Sequence, residues 1–159
     1  MRQPLLRAVS IVLLAAAPLV AGERPLVEHL SSGKVMAPDL PFSEAVRVGD
    51  VVFLSGQIGI LPGTRELAKG GIAGEAKQTM ENIRATLEGI GLGMGDLVKC
   101  TVMLDEMSEW AAFNDVYKTF FDGRYPARSA FGADGLALGA RVEVECLAAA
   151  RSAPAAAAE

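Results

Sequence analysis

Residues 141–148 read Arg141-Val142-Glu143-Val144-Glu145-Cys146-Leu147-Ala148. Apolar and polar side chains alternate, and a period of two is the signature of a β-strand with one face in a core. Val142, Val144, Cys146 and Ala148 form the core face. Arg141, Glu143, Glu145 and Leu147 point the other way, toward water, a cavity or another subunit. Two carboxyl groups on one strand face raise the pKa of at least one of them. Such a glutamate can orient or deprotonate water, or carry a proton to a leaving amine. An isolated Glu-x-Glu is also an ordinary solvated strand face, so this pattern needs a partner before it signals chemistry.

That partner lies upstream, in Pro126-Ala127-Arg128-Ser129. The proline stiffens the approach to Arg128. A guanidinium binds a carboxylate through two parallel hydrogen bonds. Read alone, Arg128 is equally a structural ion pair or a surface arginine.

Around this pair the chain reads as one α+β domain. Val46 to Ile58 forms either a hairpin or one strand entered from a turn at Gly49-Asp50. Val51, Val52, Phe53 and Leu54 make a continuous apolar run, expected of a strand buried on both faces. Ser55-Gly56-Gln57 closes it, a usual place for polar groups that line a site. Leu61 to Gly71 is a loop. Ile72, Ala76, Met80, Ile83, Leu87 and Ile90 recur at helical spacing, and Gly91 suits the helix end. Leu97 to Leu104 is a second buried strand. Ser108 is expected to cap a helix reaching about Phe121, with Trp110, Phe113, Tyr117 and Phe120 inward and Asn114 on the aromatic side. The expected order is strands, helix, strand, helix, strand, with both helices on one face of a mostly antiparallel or mixed sheet. Two helices leave the other face bare, so self-association is expected.

The ends read differently. Arg2 and Arg7, an apolar stretch from Ala8 to Leu19 and small residues at Val20-Ala21-Gly22 form an export-signal pattern over residues 1–22. The apolar run is shorter than the ~20 residues a spanning helix needs. Residues 23–151 are then the domain, with a disordered tail at 152–159 and a periplasmic or secreted location. The whole chain has a formal net charge of −4. The signal holds two arginines and no acid, so the remainder is more acidic still, which disfavours a nucleic-acid partner. Cys100 and Cys146 sit in strand-like runs. Two buried free thiols are the plainer expectation, although export makes a bridge permissible.

Several chemistries are disfavoured. His29 is the only histidine and fits an early strand, with no nucleophile motif beside it. No Cys-x-x-Cys, His-x-x-x-His or His-Glu-x-x-His occurs, so no metal site is expected. Gly89 to Gly95 is glycine-rich but follows a helix, the wrong setting for a dinucleotide fingerprint.

Val52-Phe53-Leu54-Ser55-Gly56-Gln57, Asn82 and its helix, Lys99 to Leu104, Asn114 to Phe121, Pro126-Ala127-Arg128-Ser129 and Gly139 to Glu145 together resemble the RidA/YjgF family of small imine deaminases. The likeness runs from about Pro41 to Ala150. It implies a chorismate-mutase-like α+β fold, a homotrimer with sites in clefts between subunits, and imine hydrolysis needing no cofactor. Arg128 falls on the arginine that clamps the substrate carboxylate, and Glu143 on the glutamate that positions water. Ser55, Gly56 and Asn114 fall on positions that line or support the cleft. The family's usual site tyrosine falls at Phe42, which lacks the hydroxyl, and a frequent cysteine falls at Ala130. The implied partners are a small imino or keto acid and further copies of the chain, with no membrane after signal removal. Two other readings stay open: a non-catalytic trimer that binds small carboxylates, and RNA cleavage, which the acidic charge disfavours.

Overall fold

A computed structural model describes residues 26–36 and 39–150. The expected signal at residues 1–22 and tail at 152–159 lie outside the described residues. Six strands form one sheet: β1 (Val27–Leu30), β2 (Ala45–Val48), β3 (Val51–Ile58), β4 (Leu97–Leu104), β5 (Ala127–Gly132) and β6 (Val142–Ala149). Their order across the sheet is β1-β2-β3-β6-β4-β5. Every neighbouring pair is antiparallel except β4–β5, which is parallel. The sheet is therefore mixed, as expected. Its edge strand β5 occupies a stretch with no strand period in the sequence.

The hairpin alternative holds for residues 45–58, with β2 and β3 joined through Gly49, whose φ is 58°. A glycine suits that left-handed turn because it has no Cβ to crowd the carbonyl. Helix α1 (Gly71–Gly89) buries Ala76, Met80, Ile83 and Leu87 completely. Each large side chain buried this way contributes roughly 1.5–3 kcal/mol. The helix ends where Leu92 N–H bonds Leu87 C=O at 2.8 Å and Gly91 N–H bonds Glu88 C=O at 3.2 Å. This is a Schellman turn, with Gly91 at φ 80° in the left-handed position.

Helix α2 (Trp110–Tyr117) is shorter than expected, with single 3-10 turns over Met107–Glu109 and Lys118–Phe120. Ser108 lies inside the first of these turns and does not cap the helix. Both helices cover one sheet face, where Val52, Leu54, Cys100, Val102, Leu104, Val142, Val144 and Ala148 meet Phe113 and Tyr117.

The other face is not covered by helices. Val51, Phe53, Val98 and Phe131 are exposed. Val51 to Leu54 is therefore not buried on both faces within one chain; only Val52 and Leu54 are. Arg141 also departs from expectation. It precedes β6 and turns to the helix side, where its guanidinium pairs with Glu109 and its backbone N–H donates to the buried Glu75 at 2.8 Å.

Cys100 and Cys146 face each other across β4 and β6 and are joined in a disulfide. The expectation of free thiols is thus overturned. Direct opposition in an antiparallel pair brings the two Cα atoms to 4.1 Å, a closeness that sequence spacing could not reveal.

Candidate active site

The sequence-predicted residues fall into two groups, one on each side of the sheet. The first forms around Arg128. In β5, Arg128 pairs with Cys100, so its side chain projects to the helix side. Trp110, Phe113, Asn114 and Tyr117 lie at helical spacing on one face of α2 and receive it. The guanidinium carbon lies 4.5 Å from the Tyr117 ring centre, 4.7 Å from Trp110 and 5.8 Å from Phe113. Stacking of this kind suits arginine's flat cation. Arg128 Nη2 donates to Asn114 Oδ1 at 2.7 Å. Asn114, expected on the aromatic side, thus fixes the orientation of the fork. Arg128 Nη1 is buried and makes no hydrogen bond among the described residues. Burial pushes the Tyr117 hydroxyl up to about 12, against an opposing pull from the Arg128 charge. Ala130 shares Arg128's face two residues on and packs against the core beside Val102.

The second group forms around Glu143. In β6, Glu143 pairs with Met103 of β4 and Ile58 of β3. Cys100 and Met103 are an odd number of residues apart, so Arg128 and Glu143 point to opposite faces of the sheet. Leu54 pairs with Cys146 and Gln57 with Val144. Ser55 and Gly56 therefore stand opposite Glu145 alone, which is a β-bulge, a device that re-aims side chains near sites. The bulge sends Gln57 into the core and leaves Gly56 beneath the Glu143 carboxyl. A Cβ built on Gly56 would lie 1.9 Å from Glu143 Oε1. Only glycine leaves the carboxyl where it is. Burial, with the Glu145 charge adding to it, holds the Glu143 carboxyl above the usual range.

Ser55 Oγ donates to the Ser43 carbonyl at 2.7 Å and Ser55 N–H to the Glu44 carbonyl at 3.1 Å. Ser55 thus holds the segment that carries Phe42. Phe42, half-exposed, lines a pocket with Glu143 and Gly56.

Two further residues support the site, Glu44, which the sequence reading missed, and Asn82, which it named without a role. Glu44 is buried, and its carboxylate accepts from Ser32 N–H at 2.6 Å, Ser32 Oγ at 2.7 Å, Ser31 Oγ at 3.3 Å and Thr86 Oγ1 at 2.7 Å. It ties the segment before β2 to α1. Asn82 Nδ2 donates to the Ile58 and Ile60 carbonyls at 3.1 and 2.9 Å and clamps the end of β3. Nothing marked Glu44 in the sequence, because its partners are dispersed along the chain. Asn82, a polar residue close to the apolar helical stripe, was a readable signal.

A family profile described as Endoribonuclease L-PSP matches residues 33–150. A mouse (Mus musculus) 2-iminobutanoate/2-iminopropanoate deaminase is 39% identical over 119 residues, covering 75% of this chain and 88% of the relative. The human (Homo sapiens) protein of the same name is 36% identical over 119 residues, covering 75% and 87%. Among solved structures, RidA from a Psychrobacter species superposes with a TM-score of 0.72 at 36% identity, covering 77% of this chain and 98% of that one. Escherichia coli TdcF, solved with bound serine, superposes with a TM-score of 0.72 at 32% identity, covering 79% and 99%. The chain belongs to the L-PSP family, the RidA/YjgF family of the sequence resemblance.

Proposed function

We propose that this protein is an exported enamine/imine deaminase. It hydrolyses 2-imino acids, and their 2-aminoacrylate-type enamine tautomers, to 2-keto acids and ammonia. The observation that carries the reading is Arg128: a guanidinium fixed by Asn114 and three rings, with one buried nitrogen unbonded among the described residues. A substrate carboxylate answers that unmet donor. Relatives named 2-iminobutanoate/2-iminopropanoate deaminase, 36–39% identical over most of their length, support the same reaction.

In this reading, Glu143 in its ionised form takes a proton from water as the water oxygen attacks the imine carbon. The C=N double bond of the protonated imine becomes a C–N single bond, and its electron pair moves to the nitrogen, leaving a neutral amine. Glu143 returns its proton to the amine nitrogen as the carbinolamine collapses. The C–N bond breaks, ammonia leaves, the hydroxyl proton passes to the Glu143 carboxylate and on to solvent, and the C=O bond of the keto acid forms. No redox change occurs, so the step needs no electron carrier. Imines hydrolyse unaided, and the barrier to be lowered is modest.

Arg128 and Glu143 lie on opposite faces of one chain, so a complete site takes its arginine and its glutamate from different chains. The exposed Val51, Phe53, Val98 and Phe131 supply an apolar face for the homotrimer that would bring them together. The Cys100–Cys146 disulfide supports an oxidising location, periplasmic or secreted.

The test uses imines generated in situ by an amino-acid oxidase, with Arg128→Ala and Glu143→Gln variants assayed separately and after co-refolding. Arg128→Ala alone should fall to the uncatalysed rate, and Glu143→Gln alone should lose roughly 100-fold or more in kcat. Random mixing in a closed ring should restore roughly a quarter of the sites. No recovery in demonstrably mixed oligomers would sink the shared-site reading. Phe42 favours a second reading, a trimer that binds small carboxylates without turnover, because its ring cannot hydrogen-bond a water or an imine nitrogen. Thermal stabilisation by 2-ketobutyrate without imine hydrolysis would select it. RNA cleavage is opposed by the net charge of −4.

A further inference from the structure

Leu138 is the only described non-glycine residue with positive φ, at φ 58° and ψ 15°. A side chain with a Cβ is disfavoured there because the Cβ crowds the carbonyl oxygen. Core burial does not hold it in place, since Leu138 is 57% exposed. Backbone strain of this kind persists where surrounding structure enforces it, and it clusters at binding sites. The neighbouring structure does enforce it: Gly139 follows at φ 73°, and Arg141 beyond it is anchored to Glu75 and Glu109.

The strained leucine lines the pocket beside Glu143. That pocket has a volume of about 390 Å³, and its other large apolar walls are Met36, Leu40, Phe42, Ile58 and Ile60. Small-molecule sites typically span roughly 300–1,000 Å³. A methyl or ethyl substituent needs far less space than this pocket provides.

We propose that this pocket receives the substituent on the imine carbon, and that Leu138 makes it select apolar substituents of leucine, methionine or phenylalanine size. The inference rests on the deaminase reading and deepens it. In that reading the substrate carboxylate goes to Arg128 and the imine carbon faces the water held by Glu143. The substituent is the one part of the substrate with no polar partner assigned. The apolar surface adjoining Glu143 is where it is desolvated, and Phe42 extends that surface by presenting a ring without a hydroxyl.

The experiment compares kcat and KM for imines derived from alanine, leucine, methionine and phenylalanine, using the wild-type chain and Leu138→Gly. Glycine accepts the left-handed backbone, so the variant keeps the fold and its melting temperature does not fall. Wild-type kcat/KM should rise by roughly four-fold per buried methylene. Leu138→Gly should lose about ten-fold on the leucine-derived imine, chiefly through KM, and lose least on the alanine-derived one. A wild-type preference for the alanine-derived imine would overturn the inference alone, leaving the deaminase reading standing. So would an equal loss across all four imines, or a changed oligomer size in Leu138→Gly, which would make the pocket a subunit contact. Hydrolysis of none of the four would overturn the deaminase reading and the inference with it.

Discussion

The two halves of the candidate site are built in different ways. Around Arg128, position is enforced by a hydrogen bond to Asn114 and by three aromatic rings on one helix face. Around Glu143, position depends on absence: Gly56 has no side chain, and the bulge at Ser55-Gly56 opens the space the carboxyl uses. The first half is a rigidly held cation. The second is a partly desolvated carboxyl whose proton affinity is set by burial and by Glu145. Binding calls for a fixed cation, whereas proton transfer calls for a group tuned toward the working pH. The proposed mechanism gives each half the role its construction suits.

The largest expected effect falls on the rigid half. Arg128→Ala should reduce imine hydrolysis to the uncatalysed rate. Arg128→Lys should recover little of it, because lysine keeps the charge but loses the flat fork that Asn114 and the rings hold. A lysine variant with near wild-type kcat/KM would show that charge alone suffices.

Next comes the tuned half. Glu143→Gln should cost roughly 100-fold or more in kcat, the usual scale for a lost acid–base group. It should also remove a pH dependence of stability. The folded protein keeps a Glu143 proton above the ordinary value of 4.5, where the unfolded chain has lost it. Stability therefore falls as pH rises from that value through the raised folded value. The glutamine variant should lack this slope and be the more stable protein at neutral pH. Denaturant titrations at acidic and neutral pH check it, and parallel curves for both proteins would count against a raised Glu143.

Gly56→Ala separates the two halves more finely. The new Cβ meets the far end of a flexible side chain, Glu143 Oε1. The carboxyl can swing aside, so stability should change little while kcat falls by roughly ten-fold, about 1.4 kcal/mol in barrier. A large loss of stability with kcat unchanged would mean that Gly56 serves the bulge and not the carboxyl.

The smallest effect should come from Glu145→Gln. If ionised Glu143 is the base, the acid limb of the rate profile follows its titration. Removing the neighbouring charge should move that limb to lower pH. It should not reach the ordinary glutamate value, because burial, the larger cause, remains. An unmoved limb would assign the titration to another group.

Separately from the site, the disulfide is open to measurement. It closes a loop with a sequence separation of 46 residues, for which chain entropy predicts about 4 kcal/mol of stabilisation. Replacing Cys100 and Cys146 together by alanine should lower the unfolding free energy by several kcal/mol and leave substrate preference unchanged.

Much of the fold was readable because its elements carry clean periods. Strand β6, helix α1 and the aromatic face of α2 were visible as alternation or as steps of three and four; β4 was visible as a mostly apolar run, although it is buried on the helix side only, with Val98 exposed. Strand β5 was not, since Ala127 to Gly132 is mostly exposed and lies at a parallel edge, where no strong alternation is required. The bulge in β3 was partly legible, because a glycine inside a strand-like run is one of its signals. The buried Glu44 network was not, because Ser31, Ser32 and Thr86 meet it only after folding.

The amino-acid sequence alone determined the identities of the chemical groups. Arg128, Glu143, Ser55, Gly56, Asn114, Phe42 and Ala130 could all be named from spacing and family resemblance. Only the tertiary structure decided how they are grouped. Strand pairing assigns each residue a face by the parity of its register, and one bulge reverses that parity. Parity puts Arg128 with Asn114 on the helix side and Glu143 over Gly56 on the other. It also brings Cys100 against Cys146. These relations depend on which strands become neighbours, a non-local property that no short stretch of sequence contains.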